Sequence, residues 1–181
     1  YLVLEDQPQG IVPLAKCEIN WQRTKAWGAG GYYGRLFLNV QGREPQGVIP
    51  PDEYEHTREE LSARLEAIAD PEGRNIGTRV FRPEDAYRET NNIPPDLIVY
   101  FGNLAWRSVG SVGLGSIHTF ENDIGPDDAN HAQNGLFILT LPGSAGRGHV
   151  VTHTWRAIAP TMLELLGLEV PLDIEGESLL R

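Results

Sequence analysis

Leu136-Phe137-Ile138-Leu139-Thr140-Leu141 is apolar at five of its six positions, with no alternation that would leave one face to water. Such a run fits a central strand covered on both faces, as in the parallel sheets of layered α/β proteins, and Pro142-Gly143 stops it. The segment just before it, residues 121–135 (ENDIGPDDANHAQNG), is rich in oxygen-bearing side chains and carries one histidine, His131. Loops held by a rigid sheet are where catalytic groups concentrate, and neutral imidazole is the commonest protein metal ligand. By itself His131 is open to two readings: a metal ligand, or a loop histidine that is solvated or hydrogen-bonded.

Outward from this stretch the chain alternates short β-type runs with helical patterns, the signature of an α/β layer architecture. Residues 35–40 (RLFLNV) and 96–101 (DLIVYF) are compact apolar runs bounded by Gly and Pro, and both read as strands. Between them, Tyr54, Leu61, Leu65 and Ile68 fall on one helical face; Asp52 and Glu55 have capping-box spacing, and Asp70-Pro71 ends the helix. Residues 78–82 give a short strand and residues 83–87 a turn or single helical turn. Residues 42–95 are therefore expected as a smaller lobe on a main body of residues 1–41 and 96–181, with Ile93-Pro94-Pro95-Asp96 marking the return. The last helix ends at Gly167, a left-handed C-cap, with Leu163 and Leu166 expected to face the core and Pro160 in its first turn.

Composition excludes some function classes. The chain has 181 residues, 40% hydrophobic and 22% charged, a globular composition. Its formal charge is −10, from 25 acidic and 15 basic residues, which argues against nucleic acid as a partner, because that affinity comes from clustered Lys and Arg. No apolar run approaches the ~20 residues of a membrane helix. The single cysteine, Cys17, excludes an internal disulfide and reads as a buried structural thiol; it fits a reducing compartment and favours the cytoplasm, with targeting left open.

Three ordered blocks, residues 130–139 (NHAQNGLFIL), 158–167 (IAPTMLELLG) and 170–180 (VPLDIEGESLL), resemble the C-terminal end of the alkaline phosphatase superfamily. The resemblance is nearest to its type I phosphodiesterase and nucleotide pyrophosphatase branch. Residues 20–27 (NWQRTKAW) and 38–48 (LNVQGREPQGV) resemble further blocks of that branch, so the likeness runs over nearly the whole chain. It implies the C-terminal part of an alkaline phosphatase-like fold, a central, largely parallel sheet flanked by helices. It also implies a metal-dependent hydrolase of phosphate esters or nucleotides that works through a phospho-enzyme, with two zinc ions in the complete protein. His131 corresponds to the last histidine ligand of that family. The family's metal-binding aspartate, its threonine or serine nucleophile and its later aspartate-histidine pair cannot be placed on residues 1–181. With Tyr1 opening the chain inside an apolar run, the sequence reads as a C-terminal fragment, inactive alone, binding metal weakly or not at all, and prone to self-association. Ala157 stands where the family usually has an aspartate, which puts the start of the last helix in doubt. Other chemistries of the superfamily (phosphomutase, phosphonate or sulfate ester hydrolysis) and a catalytically silent binding or structural module are the alternatives.

The remaining candidates divide by chemistry. Arg43 could contact a substrate phosphate in bidentate fashion, or pair with Glu44 or another acid and fix the lobe. Asp123, Asp127 and Asp128 could offer oxygens to calcium or magnesium, but Gly125-Pro126 interrupts them and their spacing is not that of an EF-hand. The run 110–115 (GSVGLG) lacks the spacing of a phosphate cradle and reads as a mobile loop near the active face. His56, His118, His149 and His153 read as structural or exposed, and Thr24 and Thr161 stand outside any nucleophile context.

Overall fold

The computed structural model describes residues 1–120, 129–141, 143 and 152–180. The chain divides into two compact units, residues 1–135 and 136–181.

In the first unit the strands are β1 (Val12–Pro13), β2 (Ala26–Gly30), β3 (Gly34–Leu38), β4 (Arg79–Phe81), β5 (Leu97–Tyr100) and β6 (Ser111–Val112), with helices α1 (Tyr54–Glu66) and α2 (Pro83–Ala86). Four strands form one sheet in the order β2-β3-β5-β4, while β1 and β6 form a separate two-stranded sheet. Every one of these ladders is antiparallel. The mixed α/β class holds, but the expected largely parallel sheet is not what the described strands build. The reason is connection length: β2 and β3 are separated by residues 31–33 only, and a parallel pair needs a crossover of roughly a dozen residues.

Strand alternation then sorts the side chains. Ala26 and Leu38 are cross-strand partners on the buried face, where they join Val40, Ile49, Leu61, Leu97 and Val99 in one core cluster. Helix α1 lays Leu61, with Tyr54 and Leu65, onto that core, as its apolar spacing predicts. The Asp52–Glu55 capping box does not form. Residues Pro51–Glu53 make a 3-10 turn that leads into the helix, so Glu53 occupies the cap position and its side chain accepts no cap hydrogen bond. Cys17 is half-buried, its thiol facing the Pro13 carbonyl at 3.7 Å.

The second unit is organised around α3 (Ile158–Leu165). Gly167 has φ +69°, its N–H reaches the Glu164 carbonyl at 3.0 Å, and the Leu168 N–H reaches the Leu163 carbonyl at 2.9 Å. That bond pair is a Schellman cap and confirms the glycine stop. Thr161 is a packing residue: its buried hydroxyl donates to the Ala157 carbonyl at 2.6 Å and accepts from the Leu179 N–H at 2.9 Å, tying the tail to the helix. Leu166, expected in the core, is exposed. The run 136–141 forms no strand; Leu136 and Ile138 are 90% and 84% exposed. A strand exists only by pairing, and no strand of this unit lies beside it among the described residues. None of the helices among the described residues is long and apolar enough to cross a membrane.

Candidate functional site

The scaffold of the first unit is fastened by one carboxylate. Asp96, only 4% exposed at the mouth of β5, accepts from Arg43 Nη1 and Nη2 at 2.7 Å each, from the Tyr54 hydroxyl at 2.7 Å and from the Leu38 N–H at 2.6 Å. Arg43 also donates from Nε to Glu44 Oε1 and from Nη2 to the Leu38 carbonyl, 2.6 Å each. Of the two roles open to Arg43, this is the pairing one: it clips together the two ends of the 42–95 segment. Its guanidinium is held charged well above its ordinary range, first by the Asp96 hydrogen bond. The network continues through Tyr54 to Arg58 Nη1 at 3.1 Å and from Arg58 to Glu84.

His131 lies on the other side of β5's exit. After Tyr100, residues Gly102, Asn103 and Leu104 all take left-handed backbone angles, φ 54°, 52° and 76°. Glycine and asparagine visit this region readily, whereas leucine costs about 1–2 kcal/mol there. The strained turn aims the Leu104 carbonyl at Asn130, whose Nδ2 donates to it at 2.7 Å, and Asn130 Oδ1 in turn accepts the His131 N–H at 2.8 Å. Backbone strain is thus spent on positioning the residue before the histidine. The exposed His131 imidazole packs on Tyr32, ring centroids 4.3 Å apart, and makes no hydrogen bond among the described residues. The Arg107 guanidinium lies over the same Tyr32 ring, 5.4 Å from its centroid.

Arg107 also lines a cavity of about 700 Å³ with Phe101, Trp106, His118 and Phe120, inside the ~300–1,000 Å³ range of small-molecule sites. Among the described residues its lining includes one arginine, one histidine and no carboxylate. His118 sits edge-on to Trp106, centroids 5.5 Å apart, in irregular backbone rather than a strand. The glycine-rich run at 110–115 supplies β6 instead of a free loop.

Zinc takes three or four nitrogen, sulfur or oxygen ligands. No group of three or more His, Cys, Asp or Glu side chains able to hold a metal occurs among the described residues, so these residues alone do not fit a zinc centre. Asp123, Asp127, Asp128 and His149 lie outside the described residues. His56 is exposed on α1, His153 packs against Phe137 in the second unit, and Thr24 is fully buried with its hydroxyl bonded to the Val3 backbone. Asp96, Asn130, Tyr32 and Arg107 were not singled out by the sequence; only Asn130, adjacent to His131, had a signal, the tendency of asparagine to bond its own following backbone.

The chain matches no protein-family model, no curated protein and no solved structure.

Proposed function

We propose that the chain is the C-terminal part of a metal-dependent phosphoester hydrolase of the phosphodiesterase and nucleotide pyrophosphatase type, with an alkaline phosphatase-like fold, and that His131 is the metal ligand it contributes. The observation that carries the reading is the exposed imidazole of His131, its backbone N–H held by Asn130, packed on the same Tyr32 ring over which the cavity-lining Arg107 lies. An imidazole fixed by its backbone and left open at its nitrogens suits a ligand, because affinity depends on geometry set in advance. The Arg107 guanidinium, over that same Tyr32 ring, suits the oxygens of a phosphoryl group, and the aromatic cavity it lines suits the organic group of the ester. The two zinc ions the reading implies require further ligands, and the reaction requires a nucleophile, from outside the described residues.

The test uses the natural polypeptide that carries residues 1–181, assayed on bis(4-nitrophenyl) phosphate, a phosphonate monoester and 4-nitrophenyl sulfate with added zinc. The phosphodiester is expected to be the best of the three, with hydrolysis abolished by a chelator. Losing an outer-shell partner of a metal already costs ~10–100-fold, so His131→Ala is expected to lower kcat/KM by at least that much. Because the imidazole is exposed, thermal stability should not change. Undiminished hydrolysis in the variant removes His131 from the site, and failure to cleave any of the three esters favours a silent module.

A further inference from the structure

Trp27 on β2 and Phe37 on β3 are cross-strand partners, and since their neighbours Ala26 and Leu38 face the core, these two rings stand on the opposite face of the sheet. They stack, centroids 5.4 Å apart at 16°, and Trp21 meets Trp27 at 87° with centroids 5.1 Å apart. Three large half-buried rings on a sheet face outside the core cluster are more than that strand pair needs. The two tryptophans form walls of a cleft of about 220 Å³ completed by Asn39, Glu44, Pro45 and Gln46.

The cleft is built in advance. Asn39, 1% exposed, directs its Nδ2 at the carbonyls of Trp21, Thr24 and Gln46, each at 2.9 Å, so one buried amide ties the Trp21 wall to the Gln46 wall. Glu44 is held by Arg43 through Oε1 and is the one charged residue of the lining among the described residues. The two indoles give the cleft π surface that attracts cations, and the Glu44 carboxylate, though shared with Arg43, adds negative charge in a protein of net charge −10. A bare ammonium would lose its hydration in so apolar a cleft; an alkylated one loses little. At ~30 Å³ per water the volume is about seven waters, room for a trimethylammonium group.

We propose that the Trp21–Trp27–Glu44 cleft binds a small quaternary ammonium group. This site is separate from the one containing His131 and does not depend on the phosphoester reading.

Intrinsic tryptophan fluorescence of the 181-residue chain, titrated with choline and with its uncharged isostere 3,3-dimethylbutan-1-ol, tests it, with phosphatidylcholine vesicles in a parallel sedimentation arm. Saturable quenching by choline is expected, with the isostere at least about tenfold weaker. Trp21→Ala should abolish saturation, and Glu44→Gln should weaken choline severalfold without moving the isostere. Circular dichroism melts of both variants report folding, and the Glu44→Gln comparison stands even if Trp21→Ala unfolds. Binding to vesicles but not to free choline would assign the same group to a lipid headgroup. Equal affinity for choline and isostere, or no saturable response to choline or vesicles, overturns the proposal.

Discussion

Asp96 accepts four hydrogen bonds while almost fully buried, so its removal strands a bidentate arginine, a tyrosine hydroxyl and a backbone N–H together. Breaking a buried pair from one side typically costs about 3–5 kcal/mol, and Asp96→Ala is expected to lose that much in urea denaturation; a loss below about 1 kcal/mol would contradict the clip. The same hub shapes the pH dependence. Burial first, then the hydrogen bond to Asp96, raises the Tyr54 pKa above its ordinary value. Its stabilising contribution is therefore complete below the unfolded value of ~10 and lost as pH rises through the higher folded value, so urea midpoints should fall more steeply above pH ~10 in the wild type than in Tyr54→Phe. At the acid end, burial is the largest single influence and works against the Glu84 carboxylate, but the Arg58 hydrogen bond, a backbone hydrogen bond and the charges of Arg58 and Arg82 together outweigh it, leaving the pKa lowered. That contribution is present above ~4.3 and lost as pH falls through the lowered value; Glu84→Gln should flatten the acid limb. Arg43 was legible as a residue with something to hold, but its main acid lies 53 positions away, and nothing in a linear pattern pairs them. His131 was singled out through its block, while the Tyr32 ring that packs on it reaches it only through the fold.

Local periodicity identified the core face of α1 and the strands at residues 35–40 and 96–101, because apolar spacing and turn residues act within a few positions. It failed where pairing decides. The run 136–141 has the composition of a buried strand, yet composition records a preference for burial and names no neighbour to bond with. The largely parallel direction implied by the resemblance is not what the described strands show; between β2 and β3 the short 31–33 connection dictates antiparallel pairing. Glycines report tighter constraints. A Cβ on Gly47 would sit 2.1 Å from the Val40 carbonyl oxygen, inside the Val40–Ile49 bridge, whereas one on Gly28 would meet nothing nearer than 4.0 Å. Gly47→Ala is expected to cost at least about 1–3 kcal/mol and Gly28→Ala far less, read by thermal melting of the two variants side by side. Equal effects would show that the 39–49 loop is not closely packed.

At the scale of the molecule, the second unit leaves Leu136, Ile138, Trp155, Leu166 and Leu172 more than two-thirds exposed. Apolar surface of this extent seeks burial, and we propose that the 181-residue chain self-associates through it. Sedimentation equilibrium at micromolar concentration should show a dimer or larger species that Ile138→Lys with Leu166→Lys dissociates; a strictly monomeric wild type with one cooperative melt would contradict this. Metal binding by the same chain should be weak, since one ligand cannot supply the affinity of three or four and no group of three or more ligating side chains occurs among the described residues. Weak binding still leaves a signature at the ligand. Long-range ¹H–¹⁵N NMR resolves the ring nitrogens of all five histidines, His56, His118, His131, His149 and His153, during titration with zinc. The His131 nitrogens should shift first and should be the only ones to shift at low zinc, with no such response left in His131→Ala; a shift confined to any other histidine, or an unchanged His131 at saturating zinc, would contradict its role as the metal ligand.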